Sequence, residues 1–375
     1  MVDKVFLLEP RKHPLVTLLT NVGKVFDGKS WTGSGMLKAS TGNPTFDWLE
    51  DFYGGRYAKV NAAYNNSDDP VTITVSGAGS SSAYIFTVGD MIMNARTGER
   101  MSVATVASAT SITANRSIGT TAATAGLVGD GLYIIGNINA EYGTARNVNT
   151  TRKTKESNYT QIFRTSIAVS RTEANSDLYG PKDLPYLRAK KGTEHALDIE
   201  RAFWFGEKNA STVTRNTGGV LEFIESSNSY VQNQGGILTA PDFNTFLREG
   251  FTYGDNDKVL FAGGVVLQAI NEFARGQLQT KVADKSYGVK ISEYITPFGT
   301  INIIHNPLFV QDFAGYAFLL DMSCFRYRYL NNSDTQLLTN RQTPSQDGTL
   351  DEYLTECGLE RKQAAKCALL KGVTA

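Results

Sequence analysis

The chain has 375 residues, enough for two or three folded units with cores of their own. A hydrophobic content of 41% excludes a disordered chain. Lys+Arg and Asp+Glu both number 37, and this balance argues against a dedicated nucleic-acid binder with a basic face.

Residues 1–45 read as an arm. Glu9, Arg11 and Lys12 interrupt any apolar core of a signal peptide. Pro14 is a suitable first residue for a short helix through Leu15, Leu18 and Leu19, after which Gly23, Gly28, Gly33, Gly35 and Gly42 loosen the chain. Gly23–Ser30 fits the phosphate-loop spacing, and Ala317–Asp321 could pass for the magnesium-side strand of a nucleotide hydrolase. A phosphate loop must open a helix, however, and Trp31-Thr32-Gly33-Ser34-Gly35 is a poor helix start. From Phe46 the chain stiffens. Paired acids beside Trp48 invite comparison with a sugar-hydrolysing site, but Glu50 and Asp51 are neighbours and point apart on a helix or a strand. A structural or subunit-contact role suits them better.

Between 69 and 136 charges thin out and Thr, Ser, Ala, Gly and Val dominate. Alternation in Val71–Val75, Met101–Val106 and Ser111–Ala114 predicts a small all-β unit of six or seven strands, with 137–157 as a return strand. Such a unit could bind carbohydrate, although the aromatics that sugar platforms use are scarce. Asn158–Ser170 alternates as a strand carrying Ile162, Ile167 and Val169. A long helix follows over about 183–208, its stripe formed by Ala189, Ala196, Ile199 and Phe203 and widened by Leu197 and Trp204. Arg188, Lys190, Glu194, Asp198, Glu200 and Arg201 are expected on its solvent side. Thr239-Ala240-Pro241-Asp242 is a helix start with cap, proline and early acid. Strands at Lys258–Ala262 and Thr300–Ile304, with a helix through Val266 and Ile270 between them, predict an α/β unit over 239–330. The tail, 331–375, is expected to return to the domain of the long helix.

His13, His195 and His305 are the histidines, and Cys324, Cys357 and Cys367 lack metal-ligand spacing. These thiols read as reduced and structural, and no catalytic, cofactor or metal residues are assigned.

Five collinear pieces carry a resemblance: Phe46–Asp51, Asn158–Phe163, the long helix through Gly206, Thr217–Val220, and Tyr353–Glu356 with Gly358–Glu360. Together they resemble the major capsid proteins of tailed bacteriophages with the Hong Kong 97-type fold. The resemblance implies an α+β chain with an N-terminal arm (1–45), an extended loop (46–165) holding the β-unit, a peripheral domain (166–238) with a spine helix, and an axial domain (239–330). It also implies a virion protein assembled in the host cytoplasm as pentamers and hexamers of an icosahedral shell. Scaffold, portal and decoration proteins are implied partners, with double-stranded DNA enclosed without sequence specificity and no membrane. Trp48, Glu50, Asp51 and Arg164 are the candidate subunit contacts. The alternatives are a secreted carbohydrate-binding or glycoside-hydrolysing β-rich protein and, more remotely, the nucleotide hydrolase. Replacing Lys29 by Ala is expected to leave assembly intact, and an ATPase activity that this variant abolished would reverse the ranking.

Overall fold

The computed structural model describes residues 14–20, 37–51, 55–76, 85–108, 110–145, 153–175, 183–211, 213–227, 229–277, 281–282 and 292–374. Gly23–Ser30, His13 and most of the expected arm lie outside them. The chain divides into two compact units, Leu49–Thr154 and the remainder on either side of it.

The larger unit begins with α1 (Pro14–Thr20), β1 (Lys38–Thr41) and β2 (Thr45–Glu50). Part of the expected arm is therefore core: Leu15 and Leu19 are fully buried within this same unit.

The smaller unit contains β3 (Tyr57–Val60), β4 (Val71–Ser76), β5 (Asp90–Asn94), β6 (Arg100–Ser108), β7 (Ser111–Asn115) and β8 (Gly131–Asn137). They close into a barrel in the order β3-β4-β7-β6-β5-β8, every pair antiparallel. Period-2 alternation sends Ala58, Val60, Val71, Ile73, Ile92, Met101, Ile112 and Leu132 inward. The barrel thus starts before residue 69, because the pair Ala58 and Val60 supplies the closing strand. A polar network fixes its loops. The buried Arg116 guanidinium pairs with Glu99 at 2.7 Å and donates to the carbonyls of Asn65 and Thr124. Asp130 accepts from Arg96 and Asn94, and the Arg96 guanidinium holds its carboxyl down at about 2.

Back in the larger unit come β9 (Thr154–Tyr159), β10 (Gln161–Ser170), α2 (Arg171–Asn175), α3 (Asp183–Phe205), β11 (Asn209–Ala210), β12 (Arg215–Asn216) and α4 (Val220–Glu225). The expected return strand at 137–157 is thus mostly not strand among the described residues, since β9 begins only at Thr154. On β10 the inward residues are Phe163, Ile167 and Val169. Ile162 has the opposite parity from Ile167, and its side chain is exposed. At 23 residues α3 is a rod of roughly 35 Å. It ends three residues earlier than expected, and Ala189 lies outside its buried stripe.

The remaining elements are β13 (Tyr230–Ile237), α5 (Ala240–Gly250), β14 (Asp257–Ala262), α6 (Gly264–Gln277), β15 (Lys281–Val282), β16 (Ser292–Thr296), β17 (Gly299–His305), β18 (Ala317–Leu320), β19 (Phe325–Leu330), β20 (Gln336–Leu338), β21 (Gly348–Arg361) and β22 (Ala368–Thr374). They build two sheets. One runs β1-β19-β21-β10, with β20 also on β21, and the other runs β13-β22-β18-β14-β17-β16-β15. Strands β13 and β22, expected with the long helix, both belong to the second sheet. Ala368, Leu369 and Leu370 are fully buried there, so the tail is drawn into its middle. The α5 cap forms as expected, Thr239 Oγ1 accepting from Asp242 N. Both sheets contribute to one core around α3, where Trp204 meets Phe261, Phe309 and Phe318 at ring separations of 4.9–5.0 Å.

Two charged groups sit where apolar residues would be expected. Lys258 is fully buried and donates to the carbonyls of Gly250, Tyr253 and Lys366 at 2.6–2.7 Å, tying the end of α5 to the tail. Burial lowers its pKa. The same burial pushes the thiols of Cys324, Cys357 and Cys367 up to about 11, 12 and 12.

Glu200, expected at the surface of α3, is fully buried. It accepts from Leu15 N at 3.0 Å, Val16 N at 2.7 Å and Trp204 Nε1 at 2.8 Å. The first two are N–H groups that the first turn of α1 cannot satisfy itself. These donors favour the carboxylate and burial opposes it; burial wins, and the pKa rises to about 7. The folded state therefore holds this proton more tightly than the unfolded state. The resulting stability is full below about 4.5 and is lost as pH rises through about 7. Urea midpoints of the parent and Glu200→Gln, compared from pH 4.5 to 8, are expected to show this slope in the parent alone.

Candidate functional site

The pieces of sequence singled out above meet in space. Asn158, fully buried at the end of β9, uses its whole carboxamide. Its Nδ2 donates to the carbonyls of Leu359 at 2.7 Å and Gly218 at 3.1 Å, and reaches Thr217 Oγ1 at 3.2 Å. Its Oδ1 accepts from Gly218 N at 2.9 Å and Tyr159 N at 2.8 Å. Around it, Gln161 Oε1 accepts from Thr217 N and Thr160 Oγ1 donates to Glu356. Arg361 donates to Glu222 at 2.8 Å and to the Gly219 carbonyl. The end of α3 joins through Gly219 N, which donates to the Gly206 carbonyl at 2.7 Å.

Close backbone approach makes this possible. A methyl at Gly206 would be driven into the carbonyl oxygens of Ala202 and Thr217, and one at Gly218 into the Glu222–Arg361 pair. Likewise, one at Gly358 would meet the Tyr159 carbonyl and the Phe46 ring. What the arrangement does chemically is lock β9, β21, the end of α3 and the Thr217–Gly219 loop together.

The candidate contact residues separate. Trp48 is buried beside Phe46, with ring centroids 6.2 Å apart, so it holds β2 and offers little to a neighbour. Glu50 and Asp51 belong to the smaller unit, beside an exposed Leu49. Arg164 projects from β10 and makes two bonds to Glu352, at 2.5 and 2.9 Å, which lower the Glu352 pKa. Trp48 and Arg164 belong to the larger unit.

Groups that could do chemistry are occupied structurally. His195 bridges Thr165 and Thr355 through its two ring nitrogens, at 2.9 and 2.7 Å, and burial lowers its pKa. Asp321 accepts from Ser323 N and Oγ, closing a short turn after β18. Among the described residues no cluster of three His, Cys, Asp or Glu could hold a metal, and no helix is long and apolar enough to cross a membrane. An open groove of about 510 Å³ runs along α6, lined by Gly264, Leu267, Gln268, Asn271, Glu272 and His305. Sequence reasoning missed Lys258 and the inward side of Glu200. A lone charge in an apolar run was the signal at Lys258; at Glu200 the indole donor of Trp204 four residues on was a signal, and the α1 N–H groups had none.

A family model described as SU10 major capsid protein matches residues 1–374. No curated protein matches the chain. Among solved structures, the chain is similar to a cyanophage A-1(L) capsid subunit, with TM-score 0.49 and 10% identity over 64% of this chain and 85% of that one. It is also similar to a chain of Mycobacterium phage Patience, with TM-score 0.44 and 12% identity over 64% and 78%. The SrpI encapsulin of Synechococcus elongatus PCC 7942 gives TM-score 0.41 and 14% identity over 61% and 78%.

Truncating Asn158 would strand several buried backbone groups at once. The Asn158→Ala variant is expected to lose roughly 3–5 kcal/mol of unfolding free energy in urea titrations.

Proposed function

The chain belongs to the SU10 major capsid protein family, and from that membership we propose that it builds a phage head shell in the Hong Kong 97-type arrangement. It is a capsid-forming structural protein; the family match over residues 1–374 carries that reading. In the proposed arrangement α3 is the spine, the second sheet with α5 and α6 is the axial domain, and the segment containing the barrel is the extended loop. Insertion of the barrel between β2 and β9, two strands that pair with each other, supports the last assignment.

Subunits join head-to-tail into rings of five and six that close as an icosahedral shell around double-stranded DNA, with no catalytic step. A net charge of zero lets copies pack without strong mutual repulsion. Leu49, Glu50, Asp51 and Arg164 are the proposed contact residues, with Trp48 holding β2 behind them. Scaffold, portal and decoration proteins are the proposed partners.

Sedimentation and negative-stain microscopy of the purified chain, over a range of protein and salt concentrations, are expected to show rings, tubes or closed shells. A monomer under every condition would overturn unaided assembly only, leaving a shell built with a scaffold to be tested by co-expression, and would call for glycan-binding and ATP-hydrolysis assays next.

A further inference from the structure

The outer wall of the barrel has two unlike halves. On β4, β7 and β6 the outward residues include Thr72, Thr74, Ser111, Thr113, Thr105 and Ser102, and the Thr105 and Thr113 hydroxyls bond to each other. Water satisfies such a surface. On β3, β8 and β5 the outward residues include Tyr57, Tyr133, Ile135, Met91 and Met93, with Lys59 and Asn137 at the margins, and Val88 and Ile138 extend them at one end.

Register makes this second half continuous. Tyr133 stands opposite Tyr57 on one side and Met93 on the other, and the two tyrosine rings are 4.8 Å apart. Ile138 N donates to the Gly89 carbonyl, placing it beside Val88. Tyr133, Ile135, Ile138 and Val88 remain 43–46% exposed. The barrel's own core is complete inside, so this apolar face does nothing for the barrel alone.

We propose that the β3-β8-β5 face is a contact surface for a second copy of this chain, docking on a different face of that copy. The inference rests on the capsid reading and names a contact within it. Two arguments identify the occupant. The first is area: the patch exposes on the order of 400 Å² of apolar side chain, about half of one side of a standard interface. That is too little to hold an isolated dimer, and suited to a weak contact repeated throughout a shell. Its mixture of Tyr, Met and Ile matches the core of a protein interface.

The second argument is charge. The charged residues on the outer side of β3 and at the adjoining start of β6 are Lys59 and Arg100, which share their sides with Tyr57 and Met93. Placing two such patches face to face would oppose like charges, so the contact is heterologous, against a face with acidic surroundings.

The test uses the full chain. A photo-crosslinking phenylalanine analogue replaces Tyr133, and particles are assembled from equal amounts of unlabelled and ¹⁵N-labelled protein. Mixed-isotope cross-links from position 133 to residues outside the patch are expected. Cross-links confined to one isotope would place the patch against its own chain, and mixed links back to β8 would make the contact patch-to-patch; either overturns the proposal. In parallel, Ile135→Glu is expected to lower the assembled fraction at least tenfold, while Thr72→Glu on the polar half assembles as the parent. Hydrogen exchange on the barrel strands confirms that both variants fold. Parent-like assembly of folded Ile135→Glu overturns this inference and leaves the capsid reading standing. Where the parent forms no particles alone, the same comparison is made on particles from cells that co-express the other head proteins, and a parent that forms none even there overturns both.

Discussion

A buried carboxamide must find partners for an oxygen and for two N–H groups, and at Asn158 the partners come from two distant stretches of chain besides its own. No apolar residue could replace it, because the backbone groups it satisfies would remain, dry and unpaired. The rest of the larger unit follows from where those stretches must then lie. The end of α3 is carried against the Thr217–Gly219 loop, and β21 is held in register between β10 and β19. Trp204 is delivered into the second sheet. Three glycines make the approach possible by having nothing in the way. The pieces that carry the family resemblance are the pieces of this junction, which is why they read as a collinear series and not as a chemical motif.

Legibility in the sequence followed local physics. The cap of α5 and the strand at 257–262 were readable because a few adjacent residues decide each. Three of the barrel strands, β4, β6 and β7, announced themselves through alternation, whereas β3, β5 and β8 did not. Errors fell where a distant partner decides the environment. Glu200 looked like part of a solvated helix face, and its burial is made tolerable by the N–H groups of α1 together with Trp204 Nε1. Ile162 lies on the face opposite Ile167 and Val169, where alternation rather than side-chain polarity decides its exposure. The placement of β13 and β22 depends on pairing across more than a hundred residues, which no local pattern records.

The two units solve the problem of exposed strand edges differently. Closing six strands into a barrel leaves those strands no open edge, so association through the barrel itself uses side chains and loops, not backbone pairing. The second sheet of the larger unit ends in β13, where two adjacent glycines interrupt the register. Backbone pairing between copies is thereby discouraged at both places, and specificity passes to side chains.

The three thiols carry one practical consequence. Each is buried, and each holds its proton far above neutral pH, so none offers a thiolate to an alkylating reagent or an oxidant while the protein is folded. The native chain is therefore silent to maleimide chemistry without removal of a single cysteine. One new cysteine placed on its surface would become a unique address, repeated once per subunit, for a fluorophore, a heavy atom or a tether.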